Sequence, residues 1–257
     1  CSLCEQNYHG VVACARGWAG WKTYVGRPEV DWARGNAMLV LGNGLSAADH
    51  HEDALPVKEA QLSIERRLGG PPENLLTLQC NLANSYYALG REDEALRLRR
   101  DVYFGWVKLH GEEHEMTLSA ANNYAVSLNH AERYKEVKSL YRRTVPVAQR
   151  VLGANHDFTL RMRWNYAVAL YKTDGATLDD LRESVETLED TVRIARRVLG
   201  AANPRTPAFE RELRIARATL EVREAGFDSI SDALAAMEAG DASEATSSPS
   251  ARPSKHY

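Results

Sequence analysis

A single period governs this chain. Asn81, Asn123 and Asn165 stand 42 residues apart, and each opens a triplet of Asn, Leu or Tyr, and Ala. Leu76, Leu118 and Leu160 keep the same interval, as do Gly69, Gly111 and Gly153. Three independent slots on one period mark a repeat array, in which each unit buries its apolar face only by stacking on its neighbours. An offset of 41 adds an earlier copy: Leu41-Gly42-Asn43 through Asp53-Ala54-Leu55 lies over Leu82-Ala83-Asn84 through Glu94-Ala95-Leu96.

Each unit reads as two helices. Leu75, Leu78, Leu82, Tyr86 and Leu89 mark one apolar stripe, which stops at Gly90. Ala95, Leu98, Val102, Trp106 and Leu109 mark the next, which stops at Gly111. Arg66, Lys108, Arg150 and Arg197 each precede a glycine by three positions. A cation in the last turn suits the negative end of the helix dipole, and glycine accepts the backbone reversal that follows. Units are expected over 34–73, 74–115, 116–157 and 158–204, the last lengthened by five residues within Lys172–Asp180. A closing helix over 205–225 follows, with Thr206 as N-cap, Pro207 at the first helical position, and a stripe of Phe209, Leu213, Ala216 and Leu220. Pro146 is expected to kink the helix that contains it. Residues 1–33 form a Cys- and Trp-rich lead-in, with an amphipathic helix from Tyr8 to Tyr24 through Val11, Val12, Ala15, Trp18 and Trp21. A short helix over Ser229–Met237 is expected within a tail, 226–257, that is otherwise too small-residue-rich and polar to order.

The pattern resembles the tetratricopeptide repeat in the long form found in kinesin light chains. The small residue of the first helix is Gly42, Ala83, Ala125 and Ala167; that of the second is Ala54, Ala95 and Val137, with Ser184 after the insertion. Asn81-Leu-Ala through Leu89-Gly-Arg-Glu-Asp-Glu-Ala-Leu96 is similar to the light-chain unit, over roughly residues 34–222. The resemblance implies an all-α, right-handed superhelical solenoid of antiparallel helix pairs. It also implies a non-enzymatic adaptor that holds partner peptides in the groove lined by its first helices. The heptad segment through which kinesin light chains join the heavy chain is not among these residues, so motor attachment is not part of the expectation. Register places Asn43, Asn81, Asn84, Asn122, Asn123, Arg161 and Asn165 on or near the groove. An amide offers donors and an acceptor to an extended peptide, although the triplet asparagines are equally suited to bonding the neighbouring repeat. Arg161 and Arg163 add positive charge, so the ligand is expected to bring Asp, Glu or a C-terminal carboxylate there.

The N-terminus carries the competing chemistry. Cys1-x2-Cys4-x4-His9-x4-Cys14 has the ligand spacing of a zinc knuckle, but glycines to turn the loop are lacking and the expected helix absorbs Cys14. Cys1 and Cys4 also resemble the last pair of a larger finger lying upstream, in a ubiquitin-ligase-like or nucleic-acid-linked protein. A third reading is two reduced cysteines at a frayed end. No other cofactor is expected. A chain that opens on cysteine reads as a fragment, a processed product or an incomplete gene model.

Composition excludes little but sharpens the rest. A net charge of -3 gives no pull toward nucleic acid, and no apolar run approaches the ~20 residues that cross a bilayer. Four cysteines in 257 residues, three of them crowded at one end, are no disulfide framework, so a reducing, cytoplasmic setting is expected. His110-Gly-Glu-Glu-His114 straddles a glycine turn and is no metalloprotease motif; His156, 42 residues after His114, marks a repeat slot. His50 and His51 are assigned to an exposed turn. The pairs Arg66-Arg67, Arg99-Arg100, Arg142-Arg143 and Arg196-Arg197 are assigned to a salt-bridged outer face, and most Trp and Tyr residues to the core.

Overall fold

The computed structural model describes residues 10–227; Cys1, Cys4, His9 and the expected helix over 229–237 lie outside the described residues. Among the described residues there are ten helices and no strand. They are α1 (Val11–Tyr24), α2 (Trp32–Ala47), α3 (His51–Arg67), α4 (Pro72–Ala88), α5 (Glu92–His110), α6 (Glu115–His130), α7 (Tyr134–Val151), α8 (Asp157–Lys172), α9 (Leu178–Val198) and α10 (Arg205–Glu224). The turns are short, and consecutive helices pack on one another from α1 to α7 and from α8 to α10, which builds a succession of helical pairs. The chain divides between Gly153 and Ala154 into two compact units. No helix of the described residues is long and apolar enough to cross a membrane.

The pair ends follow the local chemistry. Gly69, Gly111, Gly153 and Gly200 all have positive φ, between 67° and 94°, and Arg66, Lys108, Arg150 and Arg197 lie in the last turns before them. The five added residues of the fourth pair are shared out. Its turn, 173–177, is two residues longer than the others, and α9 runs to 21 residues where α7 has 18. Thr177 and Asp180 close a reciprocal capping box at the start of α9.

The histidines of the recurring slot have a structural task. His114 and His156 are the N-caps of α6 and α8, and each Nδ1 accepts from a backbone N–H two residues on, at 3.2 and 3.3 Å. Thr206 does not cap α10, which begins at Arg205 with Pro204 before it. Its buried hydroxyl donates instead to the Gly200 carbonyl at 2.8 Å, as Thr117 donates to Gly111 at 2.7 Å. Both bonds satisfy a carbonyl left open at a helix end. Pro146 and Pro56 both sit within continuous helices, α7 and α3.

The core lies between helices. Ala54, Ala95, Val137 and Tyr141 are fully buried in the first unit. In the second, Leu160, Leu188, Val192 and Ala195 meet Phe209, Leu213 and Ala216 of α10, so the closing stripe packs as its spacing implies. The expected stripe of α1 does so only at Trp21: Val11, Val12, Ala15 and Trp18 are exposed, as is Trp32, 79% open. Beside Trp21, α1 packs through Cys14 and Gly17, which lie outside that stripe. A Cβ on Gly17 would stand 2.7 Å from the Leu41 Cα, and one on Gly44 would stand 2.5 Å from the Ala13 carbonyl oxygen. The two backbones nearly touch, an approach that overrides the apolar stripe.

Candidate peptide-binding face

The first helices carry a row of amides whose environments differ sharply. In the first unit Asn43 and Asn84 are exposed, while Asn81 and Asn123 are half-buried. Asn122 is buried, and its Oδ1 accepts from the Tyr141 hydroxyl at 3.0 Å, which fixes it to the second helix of its own pair. Asn123 Nδ2 donates to Cys80 Sγ at 3.7 Å, across to the preceding first helix. That side chain therefore serves the neighbouring repeat, one of the two roles open to it. In the second unit Arg161 and Asn165 are half-buried; Arg161 lies 3.6 Å from Asp157 and over the Phe158 ring.

Two cations lie beneath this row, Lys58 and Arg99. Arg99 belongs to a pair expected on the outer face, yet it is 6% exposed. Its Nη1 donates to Ser127 Oγ at 2.9 Å and to the Asn123 carbonyl at 3.3 Å. Its Nη2 donates to Asn84 Oδ1 at 3.1 Å, and the guanidinium lies 4.5 Å from the Tyr87 ring centroid. Lys58 is 5% exposed and repeats the arrangement one pair earlier. Its Nζ donates to Ser46 Oγ at 2.7 Å, Ser85 Oγ at 2.8 Å and the Asn81 carbonyl at 3.3 Å. No carboxylate among the described residues pairs with either cation.

The register shows what is unusual. Lys58, Arg99 and Tyr141 hold one slot at intervals of 41 and 42, and Ser85 and Ser127 hold the receiving slot. Where the third pair uses a neutral phenol, the first two use a buried charge. Burying a cation without a counter-ion is costly. Burial pushes the Lys58 ammonium from 10.5 down to about 8. It also lowers Arg99, against the opposing influence of Cys80 and Tyr87. The Cys80 thiol is pushed up by burial, an effect that Asn123 and Arg99 oppose. The signal was legible as a charged residue at a slot that holds tyrosine elsewhere.

Arg163 corrects a further expectation. It is buried and its Nη2 donates to Asp190 at 2.6 Å, so its charge is neutralised inside the second unit rather than offered to a ligand. The remaining arginine pairs are mostly engaged at the surface: Arg67 with Glu29, Arg100 with Asp101, Arg143 with Glu112 and Arg196 with Glu210. Cys14, the one candidate zinc ligand among the described residues, lies within α1 against Leu41 and Leu45.

A model of the tetratricopeptide repeat matches residues 74–145. The BtubC (BKLC) protein of P. vanneervenii is similar in structure, with a TM-score of 0.63 at 17% identity over 95% of this chain and 94% of that one. A putative kinesin light chain of Podosopora anserina with nearly identical repeats gives a TM-score of 0.62 at 22% identity, covering 75% of this chain and 89% of that one. A clustered mitochondria protein homolog from Ajellomyces capsulatus is 24% identical over 163 residues, 63% of this chain. The match spans only 13% of that relative's length. Period, helical pairs and these matches agree: residues 74–145 carry tetratricopeptide repeats, and the fold is similar to that of the kinesin-light-chain repeats.

Proposed function

We propose that this chain is a non-enzymatic protein-interaction adaptor that holds an extended, acidic segment of a partner protein along its first helices. The observation that carries the proposal is the pair of buried, carboxylate-free cations, Lys58 against Ser46 and Ser85, and Arg99 beneath Asn84 and Tyr87. A ligand carboxylate lying over Asn84 would supply the missing negative charge in a low-dielectric setting, where it counts for more than in water. Asn43 and Asn84 are exposed to bond the peptide backbone, and Arg161 offers a further cation in the second unit. The adaptor reading is supported by the way the chain spends its acid–base side chains. His114 and His156 cap helices, and most acidic groups near arginines are held in ion pairs. A cytoplasmic setting accords with this reading and with the reduced cysteines it expects.

The test is selection from a random-peptide display library against the full chain, followed by fluorescence titration of the winning peptides. Acidic sequences should be enriched, and replacing their Asp and Glu by Asn and Gln should weaken binding at least tenfold. Asn84→Ala and Arg99→Gln should each weaken binding by on the order of 1 kcal/mol or more. Asn84 is exposed but accepts from the buried Arg99, so its variant should melt somewhat lower than the parent, and binding is compared at a temperature where both are folded. Arg161→Ala reads whether the second unit takes part. Arg100→Glu, on an exposed position, should matter far less. Retained affinity in Asn84→Ala and Arg99→Gln, with loss in Arg100→Glu, would move the binding surface elsewhere.

A further inference from the structure

The outward face of α1 differs in kind from that of the helices in register with it. Ala13, Ala54 and Ala95 are spaced by 41, which sets α1 over α3 and α5. In α3 the outward slots hold Glu52, Asp53, Pro56, Glu59, Ser63 and Arg66. All six stay exposed although a helix packs on either side of α3. α5 puts Asp93, Glu94, Arg97 and Arg100 at the first four of them. In α1 and its C-cap the same six slots hold Val11, Val12, Ala15, Trp18, Lys22 and Val25, and every one is exposed. Stacking of repeats leaves these slots open in α3, so it does not account for apolar residues there in α1.

The patch has a second edge and a charge. Trp32 is 79% exposed and lines a trough with Arg16, Ala19 and Thr23 of α1. Residues 10–28 contain no acidic side chain, and Arg16 and Lys22, the charged residues of α1, both face outward. Arg27 lies just beyond and is held by Asp31 at 3.1 Å. A net charge of -3 over the whole chain hides this local excess. Gly17 and Gly44 bring the other side of α1 onto α2, which fixes what faces outward.

Charge and size narrow the occupant. A second copy of the chain is disfavoured, because a two-fold contact sets these cations against one another. A specific protein interface takes about 800 Å² from each side, more than the ~21 Å by ~10 Å that a 14-residue helix presents. A bilayer surface asks for no shape complement. It accepts tryptophan and valine at the boundary of headgroups and acyl chains, and anionic lipid draws lysine and arginine to it.

We infer that the outward face of α1, together with Trp32, rests on an anionic lipid surface. Val11 and Trp18 are seven positions apart, so they share one line of the helix, and Lys22 continues it one turn on. The apolar members enter the boundary layer while Arg16 and Lys22 meet lipid phosphate and carboxylate. The helix lies along the surface, since no helix of the described residues is long and apolar enough to cross it.

Flotation of the full chain with lipid vesicles tests this. Phosphatidylcholine vesicles that contain phosphatidylserine should hold the chain at least tenfold more tightly than phosphatidylcholine alone, and added salt should weaken binding. The decisive variant combines Val11→Glu, Val12→Asp and Trp18→Glu, which are the residues α3 carries at these slots. It should melt like the parent and lose vesicle binding at least tenfold. Brominated acyl chains should quench tryptophan emission in the parent and spare the double variant Trp18→Phe, Trp32→Phe. Failure of the parent to bind either vesicle, or equal binding by parent and triple variant, would overturn the inference. So would a parent that is dimeric by light scattering and monomeric as the triple variant, because a second copy would then cover the face.

Discussion

At the residue scale, the most consequential side chains are those that break their own slot. Tyr141 satisfies its position with a neutral hydroxyl on Asn122, whereas Lys58 and Arg99 bring charge to the same position and find only neutral acceptors. Lys58 is the more informative because it titrates. Its ammonium is held near 8 in the fold and near 10.5 in the unfolded chain. Between those values the unfolded chain keeps a proton that the folded chain has released, so stability rises as pH climbs through this window. Below about 8 the folded state carries the charge and its full burial cost. Lys58→Met removes that cost while preserving the packing stem. Urea unfolding should find the variant equal to or more stable than the parent near pH 7, by up to about 3 kcal/mol. That advantage should shrink steadily as pH is raised toward 10.5. A difference that is flat with pH would mean that Lys58 does not titrate in the folded chain.

At the element scale, helix ends rather than helix interiors distinguish this array. Each pair must reverse direction within a few residues, and the carbonyls released at the reversal need donors. Thr117 and Thr206 supply one from the same relative position, six residues beyond Gly111 and Gly200. Thr117→Val keeps the shape and removes the donor, leaving the Gly111 carbonyl unpaired. Chemical denaturation should register a loss of about 1–3 kcal/mol. Thr206→Val should cost less in the second unit, because the Gly200 carbonyl also accepts from the Asn203 N–H at 3.4 Å. A loss under a few tenths of a kcal/mol at both positions would mean that water satisfies those carbonyls. The glycine-ended pairs were readable from spacing and cation placement. The threonine bond was not, because a threonine near a helix start looks like an N-cap, and only the position of the Gly200 carbonyl tells otherwise.

At the scale of the whole molecule, each end of an array exposes the face that stacking would cover. α10 closes the second unit: Phe209, Leu213 and Ala216 bury Leu188, Val192 and Ala195. Side chains of this size contribute roughly 1.5–3 kcal/mol each when fully buried. A chain truncated after residue 204 should therefore melt lower by several degrees and aggregate on heating, whereas one truncated after residue 239 should melt like the parent. Light scattering during a thermal ramp reads both. Equal melting of the two truncations would show that the second unit holds without its closing helix. At the other end α1 meets α2 through Gly17 and Gly44, an approach that presents Val11, Val12 and Trp18 to the surface.

The repeat period, the helical pairs, the glycine ends and the closing stripe of α10 were determined by the sequence alone. Each follows from local rules, 3.6-residue periodicity and end chemistry, that act within a few turns of chain. Asn43 and Asn84 were also legible as exposed amides of first helices. Tertiary structure decided which charges are free. Arg99 and Arg100 are neighbours in sequence, yet one lies beneath Tyr87 and the other faces solvent, since adjacent helical positions differ by about 100°. Arg163 finds Asp190 across a helix pair, and α1 turns its glycines rather than its valines toward α2. Such outcomes depend on which backbone lies opposite, and the approach distance between two helices is a property of the pair that neither sequence stretch states by itself.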